Sequence, residues 1–112
     1  MATKSVQPAF ILTVKVVVAP ENAAKFLSHF KPAYERALAE PECAYFLFGQ
    51  KHDEPGVFQW TEGWTKDPAW FMKEQITKDY YKPYLEATEP LFIKEREAEI
   101  FIPQDGMLNF KL

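Results

Sequence analysis

The chain has 112 residues, 47% of them hydrophobic and 16% aromatic, with a formal net charge of −3 at pH 7. That length supports one domain with one modest core, and the acidic balance gives no footing for a polyanion such as nucleic acid. A single cysteine, Cys43, excludes an internal disulfide and any cysteine-based metal cluster, and two distant histidines, His29 and His52, do not make a metal site.

Met1 to Pro8 is short and polar, without the apolar stretch of a secretory signal, and no window reaches the length of a membrane span. A cytoplasmic location is the expectation. Phe10 to Ala19 reads as strand one. Phe10, Leu12, Val14, Val16 and Val18 share one side; Ile11, Thr13, Lys15 and Val17 share the other. Both sides are largely apolar, so both should be covered. Pro20-Glu21-Asn22 opens a helix, with Asn22 available as a cap. Phe26, Leu27, Phe30, Tyr34, Ala37 and Leu38 form its apolar stripe, and Pro32 should kink it. His29 falls on the opposite, solvated face.

Cys43 to Gln50 is strand two, again apolar on both sides, and Cys43 reads as a buried free thiol. Lys51 to Gly56 is a turn that makes a hairpin with Val57 to Thr65. This third strand places Phe58, Trp60, Glu62 and Trp64 on one side. A carboxylate between two indoles is costly to bury unless it is paired or protonated.

Asp67-Pro68 then caps a short helix over Ala69 to Gln75, and a second helical stretch runs from Thr77 to Thr88, where Pro83 could mark a break. Leu91 to Ile102 reads as strand four, charged on both sides in its middle and therefore placed at a sheet edge. Residues 103–112 form a tail whose Met107, Leu108 and Phe110 could pack on a partner chain. The final Phe110-Lys111-Leu112 approximates a peroxisomal tripeptide, but its first position should be small.

The order strand, helix, strand, strand, helix, strand is the α+β, ferredoxin-like split βαβ layout, with a four-stranded antiparallel sheet and helices on one face. One domain over residues 1–112, with its core at roughly 10 to 102, follows from the absence of repeats and linkers. The open sheet face should pack on a second copy, as a homodimer.

Glu42-Cys43-Ala44-Tyr45, Glu62-Gly63-Trp64 and the helical run after it carry a resemblance to a known family. The chain resembles an antibiotic biosynthesis monooxygenase (ABM) domain of the dimeric α+β barrel superfamily. The stretches Trp70 to Gln75, Tyr80 to Tyr84 and Ala87 to Pro90 look like small fungal members. The resemblance implies a homodimer of ferredoxin-like subunits, each with a cavity between helices and sheet, closing into an α+β barrel. It implies oxidation of aromatic polyketide anthrones or quinols by O₂ with no cofactor, although one branch degrades haem.

Oxygenation without a cofactor needs a substrate that reduces O₂ itself once deprotonated, so the protein supplies a base, a dry cavity and orientation. Glu62 is the candidate base, with Trp60 and Trp64 as flat surfaces for stacking. Tyr34, Tyr45, Tyr81 and Tyr84 could hold substrate oxygens, while Phe26, Phe30, Phe48, Phe71 and Met72 could line the walls. Against this, aromatic stripes are often plain core, and Glu62 could instead pair with Lys15 or Arg36 or accept backbone donors from the following turn. Departures from the family pattern are visible too. Trp60 stands where anthrone-oxidising members carry an Asn, Glu74 or Gln75 stands where many members carry a His, and strand one lacks the Asn that haem degradation needs. The readings left are a cofactor-free monooxygenase for a small aromatic ligand, a non-catalytic binder of such a metabolite, and a polyketide cyclase-like activity.

Overall fold

A computed structural model describes residues 7–109 and 111. β1 (Phe10–Val17), β2 (Cys43–Gln50), β3 (Val57–Trp64) and β4 (Glu97–Phe101) form one antiparallel sheet in the order β2-β3-β1-β4. Helix α1 (Ala23–Leu38) joins β1 to β2. Between β3 and β4 come α2 (Pro68–Trp70), a π-helical turn Phe71–Gln75, and α3 (Tyr81–Thr88). This is the ferredoxin-like α+β fold that the element order leads one to expect.

The register fixes the two faces of the sheet. Leu12, Glu62 and Phe46 stand side by side across β1, β3 and β2, as do Val14, Trp60 and Phe48. These residues face the helices. Phe10, Val16, Phe58 and Trp64 on that face are fully buried, each Phe or Val contributing about 1.5–3 kcal/mol by leaving water. The opposite face carries Ile11, Lys15, Val17, Thr61, Tyr45 and Leu47, and none of the helices among the described residues covers it. Leu47 there is 70% exposed.

α1 buries Ala23, Phe26, Phe30, Ala33 and Ala37. Leu38, expected on the stripe, is exposed instead, because the buried face drifts to Ala33 and Ala37 as the helix turns. Asn22 makes no side-chain cap: Pro20–Asn22 is a 3₁₀ turn that runs straight into the helix. His29 is half-buried, and Pro32 sits inside a helix that continues on both sides of it. Asp67 caps α2 as expected, its carboxylate accepting from the Trp70 amide at 2.8 Å.

Three expected boundaries change. The helix after Asp67 passes from α to π at Phe71, where the Ile76 amide donates to the Phe71 carbonyl at 2.9 Å. α3 starts at Tyr81 rather than Thr77, putting Pro83 in its first turn, where a missing amide donor costs no helical bond. Strand four shrinks to Glu97–Phe101. Glu89–Leu91 is a 3₁₀ turn, and the run from Ile93 to Arg96 is exposed, joined to the sheet by the Ile93 amide on the Val17 carbonyl. A segment charged on both faces has little apolar area to hold it flat on the sheet. β4 is an edge strand, as its charges imply. In the tail Met107 is exposed and Leu108 half-buried, whereas Phe110 and Leu112, and with them the terminal tripeptide, lie outside the described residues, as do Met1 to Val6. Among the described residues no helix is long and apolar enough to cross a membrane.

Candidate active site

Glu62 is the centre of the site. Its neighbours across the sheet are Leu12 and Phe46, and neither offers a hydrogen bond. Its neighbours along the strand are Trp60 and Trp64, two residues away on the same face. The Trp60 indole N–H donates to Glu62 Oε2 at 2.8 Å, and the Trp64 indole N–H donates to Oε1 at 2.9 Å. One indole reaches forward along the strand and the other reaches back, so each carboxylate oxygen has its own donor. Hydrogen bonds to a charged group contribute roughly 1.5–3 kcal/mol each, which offsets part of the cost of burial. The carboxyl still titrates above the ordinary carboxylate range, because burial raises it more than the Trp64 and Trp60 donors lower it. Lys15 does not pair with it, being on the opposite face, and Arg36 lies 4.9 Å over the Tyr80 ring.

Glu62 opens onto a cavity of about 250 Å³ between sheet and helices. That is just below the roughly 300–1,000 Å³ of typical ligand sites, the right scale for a small ligand. Leu12, Val14 and Phe46 form its floor with Trp60, while Phe30, Ala33, Tyr34 and Ala37 of α1 form one wall. Phe71, Met72, Ile76, Tyr81, Tyr84 and Leu85 form the other, and Arg96 and Ala98 close the side toward β4. The space exists because α1 presents two alanines one turn apart to a sheet face that is otherwise aromatic. Arg96 is the one cation among the lining residues; it also contacts Glu89 at 3.4 Å.

Of the expected site residues, the cavity brings together Glu62, Trp60, Tyr34, Phe71, Tyr81 and Tyr84, along with Phe30 and Met72. Trp64 is fully buried behind it, packed on Phe71 and Trp70, and reaches the site only through its N–H on Glu62. Phe48 stacks on Phe30 at 4.4 Å and lines a separate outer groove with Leu27 and Lys31. Phe26 sits in the core against Phe58. Tyr45 is on the opposite sheet face, alternating with Phe46 and Phe48, and its ring lies where a side chain on Gly63 would be; the bulge between Cys43 and Tyr45 instead brings Cys43 beside Trp64 on the helix side. The small residue in Glu62-Gly63-Trp64 thus makes room for a tyrosine on the far side of the sheet.

The sequence reading missed Gln75. It is fully buried, and its Nε2 donates to the Tyr80 hydroxyl at 2.6 Å and the Tyr81 hydroxyl at 2.9 Å. The Tyr80 hydroxyl in turn donates to Glu40 Oε2 at 2.9 Å, which also meets Lys78 Nζ at 2.8 Å. Gln75 Oε1 is buried with no partner among the described residues, a cost of about 1–3 kcal/mol that the two Nε2 bonds must offset. The sequence marked Glu74 or Gln75 only as the place of a missing histidine, and the π turn decides that Gln75 faces inward. Burial pushes the Tyr84 hydroxyl up to about 12, and raises Tyr81 further, so both remain protonated donors near neutrality. Cys43 is half-buried, its thiol pushed up to about 11 by burial and then by Glu62, which suits an unreactive side chain. Among the described residues no three His, Cys, Asp or Glu side chains come together as a metal site requires.

No family model matches the chain. A candidate monooxygenase of Pestalotiopsis microspora is 30% identical over 99 residues, an alignment spanning 88% of this chain and 82% of the relative. Among solved structures, a candidate antibiotic biosynthesis monooxygenase from Caulobacter crescentus CB15 superposes with a TM-score of 0.76 at 22% identity, covering 88% of this chain and 92% of that one. A conserved protein from Methanosarcina mazei Go1 gives the same TM-score and identity over 88% and 95%. The structural likenesses establish the shared fold, and the sequence relative extends it to kinship: the chain belongs to the antibiotic biosynthesis monooxygenase family.

Proposed function

We propose that the protein is a cofactor-independent monooxygenase acting on a small aromatic, polyketide- or quinol-like compound. The observation that carries this reading is one buried carboxyl, held by two indole N–H groups, at the floor of an apolar cavity of about 250 Å³. A carboxylate with raised proton affinity is a stronger base than one in water, which suits a weakly acidic phenol or a methylene flanked by aromatic rings. Glu62 takes one proton from that methylene. The resulting carbanion is electron-rich and adds O₂, forming a C–O bond, and the Glu62 proton returns to the distal oxygen to give a hydroperoxide. Loss of the remaining C–H proton with O–O cleavage leaves C=O and water. One oxygen atom enters the product, the other becomes water, and the substrate supplies all the electrons. Exclusion of water by the apolar walls keeps the carbanion from being reprotonated by solvent.

The same clamp favours a second reading. Both indole donors are spent on Glu62, and both of its oxygens are satisfied, as in a structural carboxyl. The protein would then bind an aromatic metabolite without turning it over. Oxygen uptake with a panel of anthrones and hydroquinones separates the two. Uptake above the uncatalysed rate, lost in Glu62→Leu but not in Arg36→Ala, is the outcome expected of the oxygenase. Tight binding by tryptophan quenching with uptake at the background rate would leave only the binding protein. The reading also includes a homodimer formed through the open sheet face, supported by Leu47 and the half-buried Ile11 and Val17 there.

A further inference from the structure

We infer that Gln75 is a positioning residue: it occupies the acceptor side of the Tyr81 hydroxyl, so that Tyr81 donates its proton into the cavity and selects ligands carrying an oxygen acceptor. The inference rests on the cavity being the ligand site, as proposed above.

Hydrogen-bond direction carries the argument. Glu40 is held by Lys78, and a carboxylate paired in this way can only accept. The proton of the Tyr80 hydroxyl is therefore committed to Glu40 Oε2 at 2.9 Å. Having given its proton away, Tyr80 can meet Gln75 only as an acceptor, which requires the Nε2 end of the amide to face it. The same Nε2 supplies its second hydrogen to Tyr81 at 2.9 Å. The orientation of the amide is thus set by a carboxylate at the protein surface, and the orphaned Oε1 is the cost of that orientation.

Tyr81 lines the cavity, on the wall facing Glu62 and Trp60. Its oxygen accepts from Gln75, which makes its own O–H a better donor; the Tyr80 oxygen beside it is a competing acceptor, and a ligand oxygen in the cavity takes the Tyr81 proton in its place. A ligand filling the cavity meets a carboxyl on the floor and a hydroxyl donor on the wall, with apolar surface elsewhere. The chemistry that matches is an arene with a carbonyl or phenolic oxygen displaced from its acidic hydrogen. An arene of the same shape without oxygen leaves the Tyr81 proton unpaired.

The test compares anthrone with 9,10-dihydroanthracene, which has the same three-ring skeleton and no oxygen, by tryptophan quenching without O₂. The wild type should bind anthrone more tightly. Tyr81→Phe should weaken anthrone binding by between about twofold and tenfold, the range of one neutral hydrogen bond, and leave 9,10-dihydroanthracene unchanged. Gln75→Met, which keeps the volume and removes the donor, should lose part of the same preference, and the double variant should lose no more than Tyr81→Phe alone. A general packing defect would weaken both probes equally. That result, or an undiminished preference in Gln75→Met, overturns the inference while the cavity reading stands. Should Gln75→Met fail to fold, side-chain amide NMR decides: one Gln75 Nε2 proton must shift between wild type and Tyr81→Phe, and two unmoved resonances overturn the inference. Binding of neither probe by the wild type removes the cavity reading and this inference with it.

Discussion

Replacing Glu62 by glutamine removes one acceptor and leaves the shape of the side chain. The two indole N–H groups of Trp60 and Trp64 each need an acceptor, and the carboxyl offers one oxygen to each. An amide offers one oxygen and turns its NH₂ toward the other indole, donor against donor. A buried donor left without a partner costs about 1–3 kcal/mol, so Glu62→Gln should be destabilised by that amount where Glu62 is protonated. The difference should depend on pH. Burial raises the Glu62 pKa in the folded protein above its unfolded value. Below the ordinary carboxylate range both states hold the proton, and the wild type has its full advantage. Between the ordinary and the raised value the folded state holds more protons than the unfolded one, so wild-type stability falls as pH rises, by up to about 1.4 kcal/mol per pH unit. The glutamine variant has no such slope at this position. Its deficit should therefore be largest in acid and should shrink, or reverse, as pH rises through the raised value. Urea unfolding followed by circular dichroism over a pH series, wild type against variant, measures the gap. A gap that stays constant would refute the reasoning, and one that widens with pH would mean that Glu62 is held ionised by a cation.

Gly56→Ala should cost about 3 kcal/mol or more, since the added methyl meets the Val18 carbonyl, a backbone group fixed by the bond from the Val18 amide to the Gly56 carbonyl at 2.8 Å. Gly63→Ala meets the Tyr45 ring first, a side chain rather than fixed backbone, so its loss should be about 1–3 kcal/mol and should be partly recovered in Gly63→Ala/Tyr45→Ala; a double variant no more stable than the single one refutes that contact. Asp67→Ala removes the bond to the Trp70 amide and should lower stability by about 1 kcal/mol in urea titrations, with no loss meaning that the cap is replaced by water. If the open sheet face is the dimer interface, Leu47→Glu should move the protein toward a 13.0 kDa monomer in sedimentation, and an unchanged dimer would place the interface elsewhere.

The alternation of Phe58, Trp60, Glu62 and Trp64 was enough to place a carboxylate and two indoles on one face of one strand, because a strand's period of two is a local property. The same locality made the element order legible, and with it the fold. Strand two shows the limit: alternation sets Tyr45 opposite Phe46 and Phe48, but in a run apolar in both parities nothing says which set faces the helices, or that a bulge between Cys43 and Tyr45 brings Cys43 beside Trp64. Periodicity also cannot tell a cavity wall from packed core. Phe48 and Phe71 are equally aromatic, and only the space left by Ala33 and Ala37 decides which of them borders the cavity. Gln75 was visible as an absent histidine, but its burial depends on a π turn and its role on Glu40, thirty-five residues earlier in the chain. For Glu62 the sequence by itself determined what the carboxylate would stand beside. The tertiary structure decided what those neighbours do: the two indoles turn their N–H edges to the carboxylate, and among the described residues no cation forms a salt bridge with it.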